Sequence, residues 1–183
     1  MLKPQTFLTA SLDPYAQRIT MGVSYLGGML MLPLLFAYLS NLRWDGLLIT
    51  TVFALSLAAV LVLAYAAAPT AYLIDDQHLT IRRRWWRSLK IPLKQVSGVS
   101  LATTLSDIPR SGLRFAFNPG LFGYQGPFRL QPYGRVFFLA TSREHLVAVA
   151  RGVTPPLIIS PARPRAFIEA LNEQRLKAQQ PAS

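Results

Sequence analysis

The residues with the densest chemistry form one run, Arg82-Arg83-Arg84-Trp85-Trp86-Arg87-Ser88-Leu89-Lys90, with Lys94 just beyond. Six cations fall between residues 82 and 94, and no acid interrupts them. Such a run attracts anions: phospholipid headgroups, nucleic acid or an acidic protein. Each Lys or Arg near an anionic leaflet is worth about 1 kcal/mol. Tryptophan suits the same interface, where its ring is half wet. The bland alternative is a solvated turn whose tryptophans pack on the domain. A pocket for one lipid headgroup is a narrower version of the binding reading. RRRWWR also offers nucleic acid charge and stacking together; that reading ranks below lipid, because a membrane-tethered domain meets lipid first.

Catalytic chemistry finds little support. His78 falls in a predicted hairpin turn, and His145 follows Glu144 in another. The chain has no cysteine and only eight Asp and Glu, with Asp75-Asp76 as an adjacent pair that a tight turn explains. Metal sites need several donors at suitable spacing. There is no GxxxxGK[ST] or GxGxxG run to cradle a phosphate. The reading is a non-enzymatic protein with no cofactor and no metal.

A second candidate lies in Asn118–Phe128, where glycines alternate with Phe122, Tyr124 and Phe128. These rings could line a groove for a peptide or partner subunit. Equally, the glycines serve turns and bulges while the aromatics fill a core.

Two kinds of element must position these residues. Of 183 residues, 51% are hydrophobic and only 15% charged, and the net charge is +11. Residues 19–42 and 46–74 carry no charge. Spans of about 21–40 and 47–68 each hold the ~20 apolar residues that cross a ~30 Å hydrocarbon core, and both are apolar on every face. They predict a transmembrane hairpin over 13–69, turned at Asn41–Gly46; the small-residue pairs Ser24/Gly28 and Ala54/Ala58 could let the helices pack closely, or simply occur by chance in Ala- and Gly-rich helices. Asp13 and Pro14 resemble an N-cap and first helical position. Arg43 and Asp45 nearly cancel, whereas the flank beyond residue 80 is strongly basic. The positive-inside rule then gives a multi-pass inner-membrane protein with both termini and the β domain in the cytoplasm.

After an N-terminal tail (1–12) and this hairpin, the period shortens. Strands are predicted at 70–75, 78–84, 88–93, 95–102, 112–117, 127–131, 135–141, 146–151 and 156–160, with turn signals at Asn118-Pro119-Gly120, Gly123, Gly126-Pro127 and Gly134. A helix over 162–177 follows, with Ser160 as its N-cap and Phe167 and Leu171 facing a core. Residues 178–183 read as a disordered tail. If helix two ends near Ala68, a strand climbs roughly 20 Å, turns at 75–77 and returns. That brings Arg84–Arg87 back to the membrane surface.

The run Tyr72–Leu93, YLIDDQHLTIRRRWWRSLKIPL, together with Gly120–Phe128, Gly134, Ala140-Thr141, Ser160-Pro161 and Phe167, resembles the bacterial pleckstrin-homology-like (PH-like) domains that follow transmembrane hairpins. The resemblance covers about residues 70–172. It implies an α+β membrane protein: a transmembrane helical hairpin, then a PH-like antiparallel β-barrel or sandwich closed by a C-terminal helix. It implies no activity and no catalytic residues. The expected role is an interaction module whose partners are an anionic lipid bilayer and a protein partner or a second copy. The alternatives are an accessory subunit of a larger membrane assembly, or a lipid or small-molecule sensor acting through the 118–128 loops.

Overall fold

The computed structural model describes residues 4–39, 48–102, 118–130 and 134–179. The turn expected at Asn41–Gly46, the strand expected at 112–117 and the last four residues of the expected tail lie outside the described residues. Strand β1 (Gln5–Leu8) is followed by helices α1 (Pro14–Leu39) and α2 (Leu48–Ala67). Then come β2 (Pro69–Ile74), β3 (His78–Arg83), β4 (Leu89–Pro92) and a single 3-10 turn at Leu93–Gln95. The chain continues through β5 (Val96–Leu101), β6 (Asn118–Gly120), β7 (Gly123–Leu130), β8 (Gly134–Ala140), β9 (Val147–Arg151) and β10 (Thr154–Ile159), and ends in α3 (Pro164–Gln179).

The strands form two sheets, ordered β1-β2-β3-β4 and β5-β9-β10-β8-β7-β6. Every neighbouring pair is antiparallel except β8 and β10, which run parallel with Phe138 opposite Ile158. Alternation sets the faces. Leu79 and Ile81 of β3 and Leu157 and Ile159 of β10 point into one core, sealed by Phe167 and Leu171 of α3, all essentially without solvent exposure. The Phe167 ring meets Phe7 and Tyr72 edge-on, with centroids 5.3 and 6.0 Å apart. Ile158 points the other way, into a second cluster with Tyr124, Phe128, Val136, Phe138 and Ala16 of α1. The second sheet is therefore covered on both faces.

Residues 5–8, read from sequence as tail, pair with β2 from Gln5 opposite Ile74 to Leu8 opposite Ala71. The chain beyond β1 is pinned as well. Ala10 N–H donates to Ser160 O (2.8 Å), and Thr141 Oγ1 donates to Ala10 O (2.5 Å). Ser160 does not cap α3. Its Oγ accepts the Thr141 N–H (2.7 Å), while its N–H donates to the buried Tyr72 hydroxyl (3.1 Å). The helix begins instead at Pro164, where a missing N–H costs nothing.

The Asp13 cap is present and does more than cap. Oδ1 accepts the Ala16 N–H (2.8 Å), and Oδ2 accepts the Arg143 N–H (3.0 Å) and Nε–H (3.1 Å). The Tyr124 hydroxyl donates to the same carboxylate at 3.0–3.1 Å. The Arg143 guanidinium lies over the Tyr15 ring, 4.7 Å from its centroid. Burial opposes ionisation of Asp13, but the two backbone N–H groups, the Tyr124 hydroxyl and the Arg143 charge outweigh it and hold the carboxyl below its ordinary pKa. Burial and the Asp13 charge raise the Tyr124 phenol, which stays protonated as a donor.

The two apolar segments are helices packed on each other, and a Cβ on Gly27 would stand 3.3 Å from Leu61 Cδ1. Gly28, paired with Ser24 as a candidate for close packing, has nothing within 4 Å of an added Cβ. Ala54 is buried. Among the described residues no helix is long and apolar enough to cross a membrane. This overturns the expected transmembrane hairpin, the α+β membrane-protein class built on it, and the multi-pass inner-membrane placement with cytoplasmic termini. Counting apolar residues ignored how much helix is spent on the sheets. The last four residues of the 20-residue α2, Ala64–Ala67, dock on the β domain, which leaves about 24 Å at ~1.5 Å per residue. The first turns of α1 are docked through Asp13, Ala16 and Thr20, and Pro33 removes a backbone donor from the remainder. Away from the sheets the helices keep an apolar exterior, with Tyr25, Met29, Phe36, Val52, Phe53 and Val62 more than half exposed, counting from 52% to 74%.

Two stability outcomes follow from this packing. Phe167→Ala empties the space at the junction of α3 and both sheets and should cost about 3–5 kcal/mol, read as a fall in thermal unfolding temperature. Asp13→Asn should cost about 1–3 kcal/mol at neutral pH. Because the folded-state pKa of Asp13 is depressed, its ionic contribution is fully present above the unfolded value of 3.8 and fades as pH falls through the folded value. Chemical denaturation of both proteins should therefore give a gap that narrows below that pH. A gap that widened in acid would contradict the assignment.

Candidate interaction surface

β3 carries the basic run out of the first sheet. Leu79 and Ile81 face the core, so Arg82 and Arg84 point outward and Arg83 continues the inward row. Arg82, Arg84, Arg87 and Lys90 are exposed, as are Trp85 (70%) and Trp86 (50%). Arg83 is half-buried; desolvation lowers its pKa, and its Nε has no hydrogen-bond partner among the described residues. None of the ion pairs among the described residues uses a cation from 82–94.

The tip is held by the end of α2. A helix C-terminus leaves carbonyls without intrahelical partners. Ala66 O accepts N–H groups from both Trp85 and Trp86 at 3.1 Å, and Ala68 O accepts the Arg84 N–H at 3.0 Å. Side chains reinforce this. Tyr65 meets Trp85 and Phe122 edge-on, each with centroids 5.2 Å apart. The Arg84 guanidinium sits 4.2 Å from the Tyr65 ring centroid, and its Nη1 donates to the Tyr65 hydroxyl at 2.7 Å. Tryptophan and arginine side chains are thus displayed from a backbone fixed at three points, at the place where α2 ends. The out-and-back geometry of β2 and β3 brings the tip to that helix end, as the strand lengths require.

The second candidate is distributed differently. Gly123–Leu130 is the strand β7, so Gly126-Pro127 lies inside a strand and not in a turn. Tyr124 and Phe128 are buried at 2% and 3% exposure in the second core cluster. Only Phe122 reaches the surface, from the two-residue turn between β6 and β7. It holds a left-handed φ of +54°, which a bulky residue adopts only under constraint. The constraint is visible: Asn118 Oδ1 accepts the Leu121 N–H (2.8 Å), and Phe122 N–H donates to Thr20 Oγ1 (2.9 Å). Gly123 is obligatory at its position, because a Cβ there would fall 2.6 Å from Ala140 O.

Sequence reasoning missed Tyr65 and Thr20, the helix residues that join hairpin tip and β6–β7 turn. Tyr65 had a signal, a polar-tipped ring near the end of an uncharged span. His78 opens strand β3 and does not sit in the expected turn, His145 lies in a turn, and no group of three or more His, Asp or Glu gathers as metal donors among the described residues.

Residues 70–175 match the model of the family described as Bacterial PH domain. No curated protein matches the chain.

If the tip is fixed by α2 as described, Tyr65→Ala should loosen it without unfolding the sheets. Amide hydrogen exchange should then accelerate at Trp85 and Trp86 by about tenfold or more, with the β8 and β10 amides unchanged. Unaltered exchange at both tryptophans would show that Tyr65 contributes nothing to the tip.

Proposed function

Because the chain belongs to the bacterial PH domain family, we propose that it is a non-catalytic interaction module that docks on anionic phospholipid surfaces through the tryptophan-bearing basic hairpin. PH domains are generally non-catalytic interaction modules, which supports the first half of this reading. The observation that carries the second half is the tip itself. Arg82, Arg84 and Arg87 are exposed and outside any ion pair among the described residues, and two exposed tryptophans stand between them on an immobilised backbone. A preorganised surface loses little freedom on binding. Trp85 and Trp86 then enter the headgroup layer while the cations meet phosphates, with no helix needing to span.

A protein partner, or a second copy, is the other reading, and one observation favours it: the exposed apolar residues of α1 and α2, which form the kind of surface that marks contact sites. This would make the chain an accessory subunit of a larger assembly. Light scattering of the full chain in mild detergent separates the cases, since a fixed assembly gives a defined stoichiometry.

The lipid reading is tested by co-sedimentation of the full chain with phosphatidylserine-containing and purely zwitterionic vesicles. Replacing Arg82, Arg84 and Arg87 with Gln should weaken binding to the anionic vesicles by about two orders of magnitude, at ~1 kcal/mol per charge. High salt should do the same to the unaltered protein. Equal binding by both proteins at all ionic strengths would refute it.

A further inference from the structure

Behind the hairpin tip lies a cleft of about 230 Å³, lined by Thr9, Tyr65, Ala68, Arg84, Phe122 and Thr141 among others. Three of its walls are tied down. Thr141 Oγ1 bonds Ala10 and Ser160. Tyr65 lies between Trp85 and Phe122. Phe122 is kept in a strained backbone conformation that turns it toward Tyr65. Such strain at a surface turn is seldom retained without a use. Arg84 is the one charged residue lining the cleft among the described residues. Its guanidinium is oriented by Tyr65 and not neutralised by a carboxylate.

We propose that this cleft is a binding site for a small organic anion, with its carboxylate on Arg84 and its apolar body against Phe122 and Ala68. Three features select that class. A lone oriented guanidinium recognises a planar carboxylate in paired geometry. The Phe122 side chain and the methyl of Ala68 in the lining favour hydrocarbon. The volume lies below the roughly 300–1,000 Å³ of drug-sized pockets, which fits one ring or a short chain. The site shares Arg84 with the lipid-docking surface but stands on separate walls, so either can fail without the other.

The test is titration calorimetry of the full chain with benzoate, alongside benzyl alcohol (no charge), acetate (no apolar body) and octanoate (a chain in place of the ring). Benzoate or octanoate should bind saturably, and whichever is tighter identifies the body as ring or chain. Benzyl alcohol and acetate should each bind about tenfold more weakly or worse. Arg84→Gln and Phe122→Gly should each weaken the anion by a similar factor, while Arg87→Gln leaves it unchanged. Glycine accepts a φ of +54° without strain, so Phe122→Gly keeps the turn and loses only the wall. An unchanged unfolding temperature verifies this. Absence of saturable binding by both anions, or binding indifferent to Arg84→Gln and Phe122→Gly, would overturn the proposal. Vesicle binding weakened about fivefold in Arg87→Gln, with benzoate binding intact, would separate this site from the lipid-docking surface.

Discussion

The molecule turns on one constraint: the ends of two apolar helices must have their polar groups satisfied where they meet the sheets. At the start of α1 a single buried carboxylate does this, with Asp13 accepting from its own helix, from Tyr124 and from Arg143 across 130 residues of sequence. At the end of α2 the solution is reciprocal. Ala66 and Ala68 offer carbonyls without helical partners, and the hairpin tip supplies the N–H groups. A buried polar group left unpaired costs about 1–3 kcal/mol. Both junctions therefore resist opening, and the basic residues inherit a fixed position from the second one.

That inheritance links packing to function. Arginines on a free loop would lose side-chain and backbone entropy on meeting a surface. Here the backbone at Arg84–Trp86 is already bonded, and Tyr65 already orients one guanidinium and one indole. The same Tyr65 touches Phe122. One tyrosine thus couples the hairpin to the β6–β7 turn and shapes the cleft between them.

Much of this was readable in the chain. Alternation and turn chemistry mark β2 through β5 and β8 through β10 within a residue or two, because each is a short apolar-rich run bounded by turn residues. The Asp13-Pro14 cap and the β2–β3 hairpin were equally legible. What escaped depends on partners distant in sequence. β1 is four residues long and exists only because β2 offers an edge. Ser160 looked like a cap, yet its hydroxyl serves Thr141 and Ser142. Tyr124 and Phe128 looked like groove residues because glycines surround them, yet the strand they occupy faces the core. The membrane-spanning reading failed for a related reason. Hydropathy counts apolar residues, and it cannot count how many of them are held against a sheet.

The central claim, that the tryptophan tip seats on an anionic lipid surface, is tested most directly by quenching. With Trp44 replaced by Phe, the emission of the full chain comes from Trp85 and Trp86. Vesicles containing phosphatidylserine and a brominated lipid should quench and blue-shift that emission, and zwitterionic vesicles with the same quencher should not. Emission that stays unshifted and fully accessible to an aqueous quencher in the presence of anionic vesicles would contradict the account.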